Sequence, residues 1–328
     1  MKKRILPALA FAALLASCNG GSSSVNAYKL RWVTPTGAPT LAFYDQGENA
    51  DWLSASNPAE VVVPAFAAKS YDAIVFDGVS GLNLMTRNAA AANYRLARWI
   101  NNLSFYVVST RHTHEESKAW DASWTVDAFV QNGNASRVYR DLGSKVWNWD
   151  VSKTTYEAGL DAVVTNIPLN GYDFYIVADP AFTNLKAKMG DALHVIYSLN
   201  EEWAKAHDGM AIPSAGLFVH AENYSAHTAE FSQFLQETDA RLTNLVEHPE
   251  IASAALKSYA ADPSHVSSDG NLIKFGIASA LVERLPTLQA KNRFGFLKGG
   301  ENKATKATSD AFNKALGGQE FASTLFLD

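Results

Sequence analysis

Apolar positions along the chain fall in short runs, and each run is broken by glycine, proline or an acidic residue. The run at 29–33 predicts a first strand. It stops in the stretch Thr34-Pro35-Thr36-Gly37-Ala38-Pro39-Thr40, and 41–44 restarts as a short helix. Residues 60–63 (Glu-Val-Val-Val) predict a second strand, followed by a brief helical connector at 64–69. The near-continuous apolar run at 71–76 suits a parallel strand covered on both faces. It ends at Asp77-Gly78, and 80–87 restarts as a helix. Further strands are predicted at 94–99 and 104–109.

The same grammar then recurs. A strand at 125–130 leads into the turn Gln131-Asn132-Gly133 and a helix at 134–142, with Asn134 suited to its N-cap. A strand at 145–149, a helix at 154–164 and an apolar strand at 172–178 follow. That strand stops at Asp179-Pro180, before a helix at 182–188 and strands at 193–197 and 213–220. The remainder is mostly helical. Phe231, Phe234, Leu235, Leu242, Leu245 and Val246 recur at helical spacing and predict one buried face. Helices are also expected at 272–285, closed by Pro286, and at 310–316, stopped by Gly317-Gly318. Strand–helix alternation of this kind predicts an α/β fold with mainly parallel sheets. Roughly 300 residues exceed a single comfortable core, so two lobes are expected.

The N-terminus changes the picture of where the chain works. Lys2, Lys3 and Arg4 precede a short apolar stretch at 6–16, then Leu15-Ala16-Ser17-Cys18. This is the form of an export signal, too short to span a membrane. The cysteine after two small residues resembles a bacterial lipobox, which implies that 1–18 is a lipoprotein signal and Cys18 the lipidated residue. Cys18 is the sole cysteine, so no disulfide can form within the chain. Residues 19–27 are rich in glycine and serine and read as a flexible tether. No later apolar run reaches the ~18 residues of a membrane span. The chain carries 28 basic and 33 acidic residues, and the leader holds three of the former and none of the latter. An acidic chain without a basic stripe excludes a nucleic-acid partner.

Candidate chemistry lies at four strand ends. In open α/β sheets ligands bind beyond the carboxyl ends of strands, where loops lead into helix starts. The loops are 34–40 (Thr36, Gly37, Ala38, Pro39, Thr40), 77–81 (Asp77, Gly78, Ser80), 131–136 (Gln131, Asn132, Gly133, Asn134, Ser136) and 179–183 (Asp179, Pro180). Each offers backbone N–H groups to a ligand, and Gly37, Gly78, Gly81 and Gly133 would let it approach closely. Two loops fall in each expected lobe, so a shared ligand would sit between lobes. Taken singly, each loop is better read as ordinary turn and cap chemistry, and only as four matching strand ends do they point to a cleft.

The lipobox, the tether, the first strand ending in Gly-x-Pro, and the segments YDAIVFDGVSGLNLM, VDAFVQNGNASRVYRDL and YDFYIVADPAFTNL occur in that order. Together they resemble the type 2 solute-binding lipoproteins of ABC importers, in the nitrate, sulfonate and pyrimidine-precursor-like group. The resemblance covers almost the whole mature chain and rests on order and spacing rather than on any one motif. It implies two α/β lobes, 28–107 with 221–328 and 108–220, joined by crossing strands near 104–109 and 216–220. It also implies a small organic solute, a membrane permease as partner, a lipid anchor, a monomer and no cofactor. It does not carry over a substrate.

Other residues have two readings each. His112 and His114 with Glu115 and Glu116 could hold a metal, but fit a solvated loop better, so no metal is expected. Arg111, Arg137 and Arg140 could pair with an anionic ligand or with surface acids. Trp32, Trp147 and Trp149 could stack on a ring, but suit the core better. The alternatives to transport are an enzyme of the same fold acting on a small ring-containing metabolite, and a surface protein that keeps the fold without a transported ligand. No Gly-x-Ser-x-Gly, His-Glu-x-x-His or P-loop supports catalysis.

Overall fold

The computed structural model describes residues 28–102, 104–291 and 293–327. Cys18, the signal and the tether lie outside these residues. Ten strands build two sheets: β1 (Trp32–Pro35), β2 (Trp52–Ala55), β3 (Ala73–Asp77), β4 (Tyr94–Trp99), β5 (Phe105–Ser109), β6 (Val126–Phe129), β7 (Thr154–Glu157), β8 (Phe174–Ala178), β9 (His194–Ser198) and β10 (Ala215–His220). The first sheet runs β2-β1-β3-β10-β4 and the second β7-β6-β8-β5-β9.

Each sheet has a parallel half and one reversed strand. β1 pairs parallel with β2 and β3, while β10 is antiparallel to β3 and β4. β6 pairs parallel with β7 and β8, while β5 is antiparallel to β8 and β9. The reversed strand is in each case the one that has just entered from the other half of the chain. The chain thus passes between the sheets twice, on entering β5 and on entering β10, the strands expected near 104–109 and 216–220, and forms a two-lobed α/β fold.

Central strands are buried on both faces, as their apolar runs require: Ala73, Ile74 and Val75 of β3, and all of β8, are inaccessible or nearly so. The helix Thr228–Glu247 covers the first sheet with Phe231, Phe234, Leu235, Leu242 and Leu245, the face its spacing predicts. Arg98 of β4 clamps Asp239 of that helix with bonds of 3.0–3.1 Å.

Three predicted elements are replaced. Residues 60–63 are not a strand but part of the helix Pro58–Ala68. Pro58 fits the first helical turn, and Val62, Ala65 and Phe66 form a buried helical stripe that overrides the β preference of the valines. The missed strand, β2, is an edge strand whose Leu53 is exposed, so its apolar pattern is faint.

Residues 145–149 are likewise not a strand. Lys145 ends the helix Asn134–Lys145, and Trp147 and Trp149 are held by ring packing, Trp147 stacked on Tyr197 at 4.1 Å and Trp149 4.7 Å from Phe174. The strand is β7, and the helix expected at 154–164 forms only over Leu160–Asn166.

Leu272 belongs to a two-residue ladder with Ile277, and the helix expected at 272–285 is Ser279–Ala290, with Pro286 inside it. The turn Asp269-Gly270 separates that ladder from the preceding chain, Gly270 having φ of +77°.

Candidate functional site

The carboxyl ends of β1, β3, β6 and β8 open on one cleft of about 1440 Å³, lined from both sheets. Thr36, Gly37, Ala38, Pro39, Asp77, Ser80, Asn132, Gly133, Asn134, Asp179 and Pro180 line it. Four predicted site residues do not. Thr40 is buried, its hydroxyl donating to the Gly37 carbonyl at 2.6 Å and to the Phe275 carbonyl at 2.9 Å. Ser136 is buried and donates to the Phe129 carbonyl at 2.6 Å. Gln131 is exposed, and its carbonyl accepts from Arg140. Gly78 faces Trp99: a Cβ there would lie 2.1 Å from the indole. Gly81 similarly abuts Phe218. These two glycines serve helix–sheet packing rather than access for a ligand. Gly37 does face open space, and its φ of +97° requires glycine.

The acidic strand ends act as caps. Asp77 accepts from the Ser80 N–H at 2.8 Å with one oxygen, closing the start of the helix Gly78–Arg87. Its other oxygen accepts from the Asn134 N–H at 3.0 Å, the first residue of a helix in the other lobe. One carboxylate therefore caps two helices and joins the lobes.

Asn134 is not the N-cap expected of it; Gly133 is, and the Asn134 amide donates to the Pro213 carbonyl at 2.5 Å instead. Ser80 donates across the lobes to the Asn132 carbonyl at 3.2 Å. Arg137 does the same to Asn313 at 2.9 Å.

Asp179 caps the helix Ala181–Met189 through the Thr183 N–H at 3.1 Å and hydroxyl at 2.6 Å, and accepts from the Tyr106 hydroxyl at 3.3 Å. Tyr106 in turn accepts from Arg293.

Burial pushes both carboxyl groups above their ordinary range. For Asp77 the Ser80 and Asn134 N–H groups and nearby Arg137 oppose that push; for Asp179 the Thr183 hydroxyl and Arg293 do. Burial lowers the Arg137 guanidinium, against the pull of Asp77.

The remaining candidates resolve into structural roles. His112 and Arg111 both meet Asp173, at 3.2 and 3.3 Å; His114 meets the Ile196 carbonyl at 2.7 Å, and Glu116 completes a capping box with Thr113. Among the described residues no group of three or more His, Cys, Asp or Glu is placed to hold a metal. Trp32, Trp147 and Trp149 pack in the cores and do not line the cleft.

No known family profile matches the chain, and no curated protein matches it in sequence. Solved structures do match in shape. An ABC transporter protein from Parabacteroides distasonis superposes with a TM-score of 0.61 at 14% identity, covering 91% of this chain and 98% of that one. The ligand-binding component of an ABC-type import system from Staphylococcus aureus, solved with zinc, gives 0.66 at 8% identity, with 91% and 96% covered. The aliphatic sulphonate-binding protein SsuA of Escherichia coli gives 0.60 at 10% identity, with 88% and 90% covered. The chain has a periplasmic-binding-protein fold.

In this binding-protein fold, two parts of the cleft escape the sequence reading. Phe76, Phe105 and Phe129 are the aromatic residues that line it. Phe105 and Phe129 sit at strand termini and Phe76 one residue before one, and that position is the signal that could have found them. The segment 267–278 and Asn313 with 316–318 line it too, although they are distant in sequence. The Phe275 carbonyl binds the Gly37 N–H at 2.9 Å and so brings the segment to the first loop. The turn sequence Ser267-Ser268-Asp269-Gly270-Asn271 is its only local marker.

Proposed function

We propose that the chain is a solute-binding lipoprotein of an ABC importer, which captures one small organic solute between its lobes and delivers it to a membrane permease. The observation that carries this is the cleft walled by the strand ends of both sheets, between which the chain passes twice, an arrangement suited to hinged closure. Residues of all four loops would contact the solute, with Cys18 as lipid anchor and 19–27 as tether, the protein acting as an exported monomer without a cofactor and without catalysis. Among the described residues no helix is long and apolar enough to cross a membrane, which is consistent with attachment through Cys18. The similar folds are importer components, which supports the transport reading. We place the lobe edges at 101–105 and 211–215 rather than at 107 and 220, because β5 belongs wholly to the second sheet and β10 to the first.

The test is a thermal-shift screen of the mature chain against neutral, cationic and anionic metabolites, with native mass spectrometry for co-purified solute. A ligand at 100 times its Kd should add about 2.7 kcal/mol of stability. A protein that purifies empty and is shifted by nothing in a broad library would sink the transport reading.

A further inference from the structure

We infer that the cleft is built for an uncharged, largely apolar organic solute and turns away sulfonates, carboxylates and nitrate. This rests on the solute-binding reading above and narrows it.

An anion in a protein cleft needs donors, and here many donors of the four loops are already used by the chain itself. The Ser80 and Asn134 N–H groups go to Asp77 and the Thr183 N–H to Asp179. The Gly37 N–H goes to the Phe275 carbonyl, Thr36 to Ala55, Gly78 to Ser214 and Gly133 to Val130, at 2.8–3.0 Å. The Asn134 side-chain amide donates to Pro213, and Arg137 gives one N–H to Asn313.

What the cleft presents in exchange is two carboxyl groups. Asp179 is buried and Asp77 half-buried. Whichever protonation state they hold, they fill the seats at the helix starts where an anion would otherwise be stabilised. An anion finds those seats taken and, where the carboxyl groups are ionised, also meets like charge.

Neither carboxyl group calls for a cationic ligand. The oxygens of Asp77 face two backbone N–H groups with Arg137 nearby, and those of Asp179 face Thr183 and Tyr106, backed by Arg293. The other charged residues on the cleft wall, Arg87, Lys188, Asp161 and Asp269, are all exposed and mixed in sign, as at a solvated mouth.

More of the cleft wall is apolar than polar. Phe76, Phe105 and Phe129 contribute rings, Phe105 and Phe129 lying 6.5 Å apart, with Leu185, Leu272 and Ile277 beside them. Such a surface rewards a ring or hydrocarbon chain by burial and offers a charge little.

The test holds the ring constant and varies the charge. Binding of 2-naphthamide, 2-naphthylmethylamine and 2-naphthalenesulfonate to the mature chain is measured by equilibrium dialysis. The amide is expected to bind at least about tenfold more tightly than the sulfonate. Removing either acid, in Asp77→Asn or in Asp179→Asn, should narrow that ratio, with circular dichroism confirming that the variant is folded; the second variant stands in if the first does not fold.

A sulfonate that binds as well as the amide, an amine that binds best, a ratio unchanged in both folded variants, or no binding of the amide at all overturns the inference. An anionic hit in the metabolite screen also overturns it while leaving solute binding intact, whereas an empty screen removes both.

Discussion

The strand ends at Asp77 and Asp179 look alike in sequence: an apolar run, an aspartate, a backbone-restricting residue, then a helix. In the folded protein their first oxygens do the same work, each capping its own helix, through the Ser80 N–H and the Thr183 N–H. Their second oxygens differ. That of Asp77 leaves its lobe and caps a helix of the other at Asn134; that of Asp179 stays within its sheet on Tyr106. The residues that follow differ as well, since Gly78 lets its helix lie against Trp99 while Pro180 lines open cleft. Local grammar sets the cap, and the partner of the second oxygen is set by what the rest of the chain brings alongside.

Variants can break this comparison, beginning with the residue after the first aspartate. Gly78→Val should cost about 3 kcal/mol, since its first added carbon already collides with Trp99 at 2.1 Å. Urea denaturation reads the loss, and a cost under about 1 kcal/mol would mean that Gly78 is not held by packing.

The aspartates come next. Asp77→Ala strips the acceptor from N–H groups in both lobes and should cost about 2–3 kcal/mol; Asp179→Ala should cost about 1–2 kcal/mol. Amide exchange sharpens the contrast: it should quicken at Ser80 and Asn134 together in the first variant and at Thr183 alone in the second.

The pH dependence of these acids has a definite sign. Both carboxyl groups are raised above 3.8 in the folded state. Between that value and the raised one the native state binds more protons than the unfolded chain, so wild-type stability gains from these groups as pH falls from neutral toward about 4. Against Asp77→Asn or Asp179→Asn, wild type should therefore improve on going from pH 7.5 to 4.5 in urea melts; a gap that moves the other way would reverse the assigned direction.

The smallest effect is expected at Gly37→Ala. The space is open, so only the φ of +97° opposes the methyl group, at a cost of about 1 kcal/mol. That loss makes Gly37 a poor site for separating binding from stability.

Much of the fold is legible because strand and helix signals here are local. The apolar runs around β3, β5, β8 and β10, the stripe on Thr228–Glu247 and the Asp77 cap can all be read from neighbours a few residues away. Errors arise where tertiary packing outweighs local preference: the valines of 61–63 enter a helix because Val62, Ala65 and Phe66 share one buried stripe, and Trp147 and Trp149 are held by Tyr197 and Phe174 rather than by a ladder. Eleven of the fifteen proposed contact residues reach the cleft, and the exceptions, such as Thr40 and Ser136, are small polar side chains that turned inward to satisfy backbone carbonyls. A hydroxyl in a loop has the same local sequence whichever way it turns.

By itself, then, the sequence determined the alternation of strands and helices and the acidic caps at the strand ends, because each depends on periodicity, backbone restriction or a cap within a few positions. Only the tertiary structure decided that Asp77 would span both lobes, that Phe76, Phe105 and Phe129 rather than the tryptophans would face the cleft, and that the Phe275 carbonyl would take the Gly37 N–H. Those outcomes depend on groups far apart in the chain competing for the same hydrogen-bond donors and the same buried space, a competition that begins only once the two sheets stand opposite each other.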